Sequence, residues 1–475
     1  MKKLLISIFA MCLSASVLAG GLNTNSNQNA SFERQMSQNG IIDLAGLYAN
    51  PAGTAFLANG WHLSYSHMSV WQQRNITTTF PLFALNGANS TPGEKTHKFE
   101  GTAKAPVVPS VSVSYNHNKW SVNAHIAVTG GGGKCTFPNG LGSFESLVGG
   151  TIASAVPSFR GYLMDSKMEG HSYVFGGQFG ATYKVIPNLA VFGGVRVVYG
   201  TNGYDGYIRN ITAILPNPAD PTTNISVTSD QDPRLSDIEL DCSQKGWGVT
   251  PIVGLDWKAS EYLNLGVKFE APTKMVYKNS STLSPAAQAA SSLAKFRDGY
   301  KVREDLPAIL SMGAMATPFE GLRLMTGWNV YFDSGVKKGV TAEDGTEISF
   351  FKAGEYRPSE SNPDLMIRDI DANTWELNIG VEYDLNKYVT LSGSWQRTVY
   401  GISDTGISDL SFNNTNNMFA FGVRVKPIKH LSFDLGFMHT IYHDRSVTTS
   451  TAVGLKNDLY IRKNDVFGIG VNYEF

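Results

Sequence analysis

The sequence predicts an all-β fold, a transmembrane antiparallel β-barrel of about 14 strands with a small N-terminal hatch in its lumen. Three observations predict it. From Gly60 to the C-terminus, apolar residues alternate with small or polar ones in segment after segment. Short polar turns alternate with long polar connections over the same region. No segment of the mature chain holds 18 consecutive apolar residues, which excludes helical membrane spans and leaves a closed barrel as the structure that satisfies its backbone in lipid.

Composition and charge are consistent with this fold class. Charged residues make up 17% of the 475 residues, below the usual quarter, and 48 residues are glycine. The formal net charge is −1, so no nucleic-acid partner is expected. No metal-ligand cluster with convincing spacing and no phosphate-binding loop is present, so we expect no cofactor.

The N-terminus has the pattern of a secretory signal peptide over residues 1–19. Lys2 and Lys3 form a basic start, Leu4–Val17 is apolar, and small residues precede a predicted cleavage near Ala19. The segment is too short to span a membrane. The mature chain is then predicted to comprise a hatch, residues 20–58, and a barrel, residues 59–475.

The hatch is predicted from Ile41–Leu57, an apolar stretch without the alternation of a strand. Four of its residues have the spacing of one helix face: Ile41, Leu44, Ala45 and Tyr48. Asn50-Pro51 has the pattern of a second helix start, with a cap followed by proline at the first position. Residues 20–40 are polar and rich in Asn and Gln, and we expect them to be a loosely ordered lead-in.

The barrel strands show a clean period of two. In Trp375–Tyr383 the apolar positions alternate with Glu376, Asn378 and Glu382, which fits lipid outside and a polar lumen inside. Strands of about ten residues or more are too long for a typical soluble sandwich. Six short turns and seven long connections, the latter including 74–97 and 446–462, join 14 strands and place both termini at the periplasmic end. The terminal aromatic strand ending at Phe475 is typical of chains inserted by the barrel-assembly machinery.

Three motifs carry a resemblance to a known family. Asn50-Pro51-Ala52 precedes the first strand, Ala105–Ser110 (APVVPS) lies in the second, and Leu306-Pro307-Ala308 starts the eighth. A chain with this arrangement resembles the FadL-like family of outer-membrane channels for long-chain fatty acids and aromatic hydrocarbons. The resemblance covers essentially the whole mature chain, although the polar lead-in departs from the usual start of the hatch.

The resemblance implies a transport mechanism. The hatch would lie inside the barrel beside an apolar pocket, with Asn50, Pro51 and Ala52 as its motif. The third strand, residues 119–134, would carry an inward kink, and ligand would leave sideways into the membrane through the gap. Gly130, Gly131, Gly132 and Gly133 would permit irregular backbone there, or would simply start the next loop.

Other candidate residues are less specific. The hatch residues Ile41, Leu44, Leu47, Tyr48 and Phe56 are expected either to contact ligand or to anchor the hatch on the wall. A ligand carboxylate would favour one of the predicted inward cations Arg196, Lys268, Arg323 and Arg424, whose alternative role is ion pairing across the lumen. The apolar connection 134–170 could form a capture groove or a helical pair that caps the barrel.

The mature chain has two cysteines, Cys135 and Cys242, both predicted at the same end of the barrel. The oxidising environment outside the cell would permit a disulfide, but the two cysteines are three strand positions apart, so pairing stays open. An enzyme is not expected: His125, His171, His439 and His443 are not linked to a serine by a local motif.

The sequence favours passive uptake of hydrophobic molecules such as long-chain fatty acids, related lipids or hydrocarbons. Binding would occur in an apolar luminal pocket, and release would be lateral into outer-membrane lipid. The alternative is a general porin, or a surface-recognition barrel that binds an extracellular ligand through its long loops. A monomer is expected.

Overall fold

The computed structural model describes Thr24 and residues 29–87, 93–359 and 363–475. The predicted signal peptide, with its cleavage position, lies outside the described residues. The helices are α1 (Ala30–Arg34), α2 (Gly142–Ala155) and α3 (Pro285–Ala289). The 3-10 helices are Leu44–Leu47, Pro51–Phe56, Pro81–Leu85, Pro233–Leu235, Ser291–Phe296, Asp333–Gly335 and Asp404–Gly406.

Strands dominate the described residues. They are β1 (Gly60–Thr79), β2 (Thr96–His117), β3 (Trp120–Phe137), β4 (Gly161–Ile186), β5 (Leu189–Pro216), β6 (Asn224–Val227), β7 (Ile238–Lys258), β8 (Leu263–Glu270), β9 (Val276–Leu283), β10 (Lys301–Glu304), β11 (Ile309–Phe319), β12 (Leu322–Tyr331), β13 (Lys337–Thr341), β14 (Glu347–Lys352), β15 (Arg357–Pro358), β16 (Met366–Ile367), β17 (Thr374–Asn386), β18 (Val389–Val399), β19 (Asn416–Ile428), β20 (Leu431–Tyr442), β21 (Arg445–Thr451) and β22 (Gly454–Glu474).

The strands close into a 14-stranded antiparallel barrel, which confirms the predicted fold class. Several positions in the wall are each formed by two strands, including β8 with β9, β11 with β10, β12 with β13, β17 with β14, and β20 with β21. The seam between β1 and β22 closes the barrel and runs in register from His62–Glu474 to Thr79–Asn457. Closure pairs the first wall strand with the last, so that neither presents a free sheet edge to lipid.

The two faces of the wall differ as the alternation predicts. Apolar side chains of the last strand, including Phe467, Ile469 and Tyr473, are exposed on the outer face. Inward positions of other wall strands carry buried polar residues such as Glu376 and Asn378. Among the described residues, no helix is long and apolar enough to cross a membrane.

All six predicted short turns join neighbouring wall strands at one end of the barrel, here called the short-turn end. Both termini of the barrel lie there, because the backbone N–H of Trp61 donates to the carbonyl of Phe475 at 2.7 Å. At the opposite, long-connection end several predicted loops are partly strand: β5 continues to Pro216 and β22 already begins at Gly454. The predicted strands are therefore too short at the long-connection end.

An apolar core fills the long-connection end. Helix α2 packs there against the strand continuations, and its residues Phe144, Leu147 and Ile152 are buried. The apolar residues of the connection 134–170 are therefore covered rather than lining an open groove, and one helix takes the place of the predicted helical pair. Glu145 of this helix accepts hydrogen bonds from Asn86 and His97 at 2.8 and 2.9 Å.

Candidate functional site

The ladder between β2 and β3 is interrupted near the middle of the wall. Pairing runs from the turn to Val111–Ile126, stops, and resumes only at Ala103–Cys135. The unpaired stretch of β2 contains Pro106 and Pro109, which have no N–H to donate to a neighbour. We call this interruption the wall gap. It falls on the Ala105–Ser110 motif that carried the resemblance.

The predicted glycine run lies on the other side of the wall gap. Gly130–Gly133 is inside β3, which continues to Phe137, so these glycines do not start a loop. The β3–β4 register shifts twice across them. Gly131 and Gly133 have backbone φ angles of 114° and 72°, a region that residues other than glycine rarely adopt. The glycines thus allow β3 to bend away from β2.

A cavity of about 970 Å³ opens at the wall gap, and we call it the gap cavity. Its lining is mixed. Apolar side chains come from four strands and include Met68, Val70, Val108, Val128 and Met438, and polar ones include Gln72, Lys104, Arg462 and Asn464. A second cavity of about 670 Å³, toward the long-connection end, shares Gly131–Gly133, Asn413 and Arg462 with it. The two spaces therefore adjoin each other at these glycines.

The hatch fills the lumen at the short-turn end, and its polar start is ordered. Residues 29–40 are all buried, which corrects the prediction of a loosely ordered lead-in for this part of it, while residues 20–23 and 25–28 lie outside the described residues. Asn29 caps α1 by accepting from the N–H of Phe32 at 2.9 Å. Arg34 forms ion pairs with Glu382 at 2.5 Å and Asp434 at 3.1 Å on the wall. A polar segment is stable here because the lumen that holds it is polar.

Two apolar hatch residues that the sequence did not single out pack behind the lining of the gap cavity. Phe32 and Met36 of the hatch pack in one apolar cluster with Met68, Met438 and Val466 of the wall. Met68 and Met438 line the gap cavity. The sequence does contain a signal for this contact: Phe32 and Met36 are four positions apart in an otherwise polar stretch, the spacing that places two side chains on one helix face.

Asn50, Pro51 and Ala52 fix the second part of the hatch. Asn50 Nδ2 donates to the carbonyl of Ile41 at 3.1 Å and to the buried carboxylate of Asp256 on β7. The predicted helix start at Asn50-Pro51 is the 3-10 helix Pro51–Phe56, although the Asn50 side chain does not cap it. Ala52 is fully buried against Phe192 and Ile252. The motif thus holds the hatch to β5 and β7.

Asn50→Ala is expected to loosen the hatch without unfolding the barrel. Asp256 would keep Asn264 as a donor, at 2.9 Å, but lose Asn50, and an under-satisfied buried acceptor costs about 1–3 kcal/mol. Faster trypsin cleavage after Arg34 would report the loosened hatch. Asn217→Ala, at a half-buried position of the long-connection end away from the hatch, is the control. Equal cleavage rates in both variants would contradict this role for Asn50.

The predicted hatch face contacts the wall. Leu44, Leu47 and Tyr48 are buried, and the aromatic ring of Phe56 lies 4.5 Å from Lys258 Nζ. Tyr48 also lines a cavity of about 500 Å³ between hatch and wall. None of the five predicted residues, Ile41, Leu44, Leu47, Tyr48 and Phe56, lines the gap cavity. This geometry favours the anchoring alternative.

The four predicted inward cations all have carboxylate partners. Arg196 and Lys268 share Glu270, each at 2.6 Å, and flank the ring of Tyr48. Arg323 pairs with Glu382 at 2.9 Å. Arg424 pairs with Asp434 at 2.7 Å and with Asp43 of the hatch. This arrangement favours the ion-pairing alternative, in which these cations hold hatch and wall together.

Cys135 and Cys242 are both free, buried thiols, so the disulfide left open by the sequence is not formed. The register gives the reason. Cys135 lies opposite Gly170, Gly170 opposite Tyr204, and Tyr204 opposite Cys242, so two strands separate the thiols. Three strand spacings amount to roughly 14 Å along the wall, beyond the reach of about 7 Å between Cα atoms that a disulfide allows.

Three further cations line the cavities and were missed from the sequence: Arg74, Arg462 and the exposed Lys104. Arg74 and Arg462 lay in predicted loops, 74–97 and 446–462, but the structure places them on β1 and β22. The period of two continues through both segments, with Arg74, Ile76 and Thr78 all buried on one face. Extending the alternation past the predicted strand ends would have identified these two arginines.

Sequence comparisons give no assignment, since no protein-family model and no curated protein matches the chain. Comparison with solved structures identifies the fold. A Pseudomonas aeruginosa FadL homologue superimposes with a TM-score of 0.66 at 15% identity, over 96% of this chain and 100% of that chain. The Pseudomonas putida toluene transporter TodX gives 0.54 at 12% identity, over 91% and 94%. The Ralstonia pickettii toluene transporter TbuX gives 0.51 at 15%, also over 91% and 94%. The chain therefore has the fold of the FadL-like outer-membrane channels.

Proposed function

We propose that this protein is an outer-membrane channel for the passive uptake of hydrophobic molecules, with lateral release into the membrane. The substrates are long-chain fatty acids or related lipids and hydrocarbons. The mature chain, released by cleavage near Ala19, resides in the outer membrane as a monomer after insertion by the barrel-assembly machinery. It uses no cofactor and performs no chemistry on its cargo.

The observation that carries the proposal is the wall gap with its partly apolar cavity. Apolar side chains of β1, β2, β3 and β20 surround a space that opens where β2 and β3 are unpaired. Burial of apolar surface is worth about 25 cal/mol per Å², so a long acyl chain gains several kcal/mol on entering. Release through the gap into lipid keeps that gain, whereas release into water would lose it.

The hatch argues against a general porin. A porin needs a water-filled lumen, but here residues 29–57 occupy the lumen and are held by ion pairs and by Asn50. The proteins with similar structures include two toluene transporters, which supports a hydrophobic cargo. The identities of 12% and 15% do not select the substrate.

Uptake into liposomes tests the proposal. Purified protein reconstituted into vesicles is expected to accelerate the transfer of a fluorescently labelled long-chain fatty acid to a binding protein trapped inside. The same vesicles should pass glucose no faster than protein-free vesicles. The negative control is heat-unfolded protein at the same ratio of protein to lipid.

Two results would overturn the proposal. Strong ion conductance together with no acceleration of fatty-acid transfer would indicate a porin. Unchanged transfer and no conductance, with tight binding of a surface ligand to the long connections, would indicate a recognition barrel.

A further inference from the structure

Arg74 and Arg462 form a pair of like charges in the wall. They occupy directly opposite positions of the β1–β22 seam. Opposite residues of an antiparallel pair have Cβ atoms about 4.5–5.5 Å apart, and like charges there repel. Arg74 is 9% exposed and Arg462 is half-buried, so water screens the repulsion poorly. Two arginines in this position need an anion between or beside them.

The protein does not supply that anion from the residues that the structure describes. Within them, neither guanidinium forms an ion pair, whereas Arg34, Arg196, Arg323 and Arg424 each have a carboxylate within 2.9 Å. Arg462 Nη1 donates to the amide oxygen of Asn413 at 3.0 Å. The remaining contacts are with aromatic rings: Arg74 lies 4.8 Å from the ring of Phe412, and Arg462 lies 4.8 Å from that of Tyr442. The Nε atom of each arginine is buried without an acceptor.

Both arginines face open space. Arg74 and Arg462 line the 670 Å³ cavity together with Gly131–Gly133, Cys135 and His171. Gly132 has no side chain to cover Arg74, and a Cβ at that position would lie 3.6 Å from Arg74 Nη1. The polar ends of both side chains are therefore accessible from the lumen side of the wall gap.

The gap cavity lies on the other side of the same glycines. Arg462 also lines the gap cavity, which continues past Met438 and Val70 to the unpaired segment of β2. A molecule with an anionic end at the two arginines would thus place an attached apolar chain along this cavity toward the gap. The arrangement matches an amphiphile better than a neutral hydrocarbon, which would leave the charges uncompensated.

We propose that Arg74 and Arg462 form a headgroup subsite for a monovalent oxyanion, with the carboxylate of a long-chain fatty acid as the substrate class that fits it. The inference rests on the proposed function, because it specifies which hydrophobic molecules the channel takes. Guanidinium groups suit this role, since they present several donors to the two oxygens of one carboxylate.

Equilibrium binding to the protein in non-ionic detergent tests the subsite, with oleate and oleyl alcohol as the two probes. In Arg74→Gln/Arg462→Gln, oleate affinity should fall roughly 10-fold to 100-fold, the size expected for a lost charge-assisted hydrogen bond. Oleyl alcohol, which has the same chain and no charge, should bind as to wild type. Arg74→Lys keeps the charge and should retain most of the affinity for oleate. Arg234→Gln is the control, since Arg234 pairs with Asp232 in a loop outside both cavities.

Folding is not expected to confound the result, because the double variant removes a repulsion. Heat modifiability on electrophoresis checks that each barrel is intact. Unchanged oleate affinity in the double variant would overturn the subsite, and so would an equal loss for both probes. The proposed function is decided separately: wild type that binds oleate but accelerates no transfer into liposomes would retain the subsite and contradict the channel.

Discussion

Deletion of residues 20–56 is expected to turn a closed barrel into an ion-conducting pore. These residues include α1, which packs on β18–β20, β22 and β1, and both 3-10 helices of the hatch, which pack on β1–β5, β7 and β8. A polar lumen without its hatch fills with water. Planar-bilayer recordings should show near-zero conductance for wild type and large, steady openings for the deletion variant, and swelling assays should show entry of small sugars.

Graded variants make this result more specific. Arg34→Gln removes the ion pairs with Glu382 and Asp434 but keeps the hatch, so its conductance should lie between those of wild type and the deletion variant. Both wall carboxylates would retain a partner, Arg323 and Arg424 respectively, so the barrel should remain folded. Unchanged conductance in the deletion variant would show instead that the apolar core at the long-connection end closes the lumen by itself.

Filling the wall gap is expected to slow transport. Gly132 has an ordinary backbone conformation, and its Cβ would point into open space toward Arg74. Gly132→Val and Gly132→Phe would therefore narrow the junction of the two cavities without backbone strain. Steric overlap between the new side chain and a passing acyl chain would cost about 1–3 kcal/mol. It would slow fatty-acid transfer roughly 5-fold to 100-fold, more for Phe than for Val.

The control for this series is Gly193→Val on β5. Gly193 also has an ordinary φ and is exposed, and a Cβ added there would meet no described atom within 4 Å, yet the position lies away from both cavities. Gly131→Ala is unsuitable, because its Cβ would lie 2.4 Å from the Ser172 carbonyl oxygen at a φ of 114°. Equal transfer rates for wild type and Gly132→Phe would place the exit elsewhere.

The wall was predictable from the sequence because its physics is local. A side-chain period of two, with lipid on one face and a polar lumen on the other, is visible within the short segment Trp375–Tyr383. Strand ends were not predictable in the same way. Beyond the membrane both faces of a strand can be polar or apolar, so the change in composition at Arg74 was taken for a loop although the ladder continues to Thr79.

The hatch shows why burial could not be inferred from polarity. Residues 29–40 have the composition of exposed chain, but they are buried because their container is a polar lumen. Arg34 and Asn39 are satisfied by wall residues that lie hundreds of positions away, such as Asp434 and Asn329. Similarly, the electrostatic environment of a luminal cation depends on its cross-strand neighbour. Arg424 has Asp434 and Arg74 has Arg462, and only the register reveals this difference.

The docking surface of α1 has a consequence for assembly order. This helix precedes β1 in the chain, yet it packs on β19, β20 and β22, the last strands to be synthesised. Its neighbours Gly436 and Gly468 leave room for its backbone on β20 and β22. The hatch therefore has no complete seat until the C-terminal strands are in place and the seam with β1 can form. Final seating of α1 thus follows the arrival of the last strands, although the helix is synthesised before the first one.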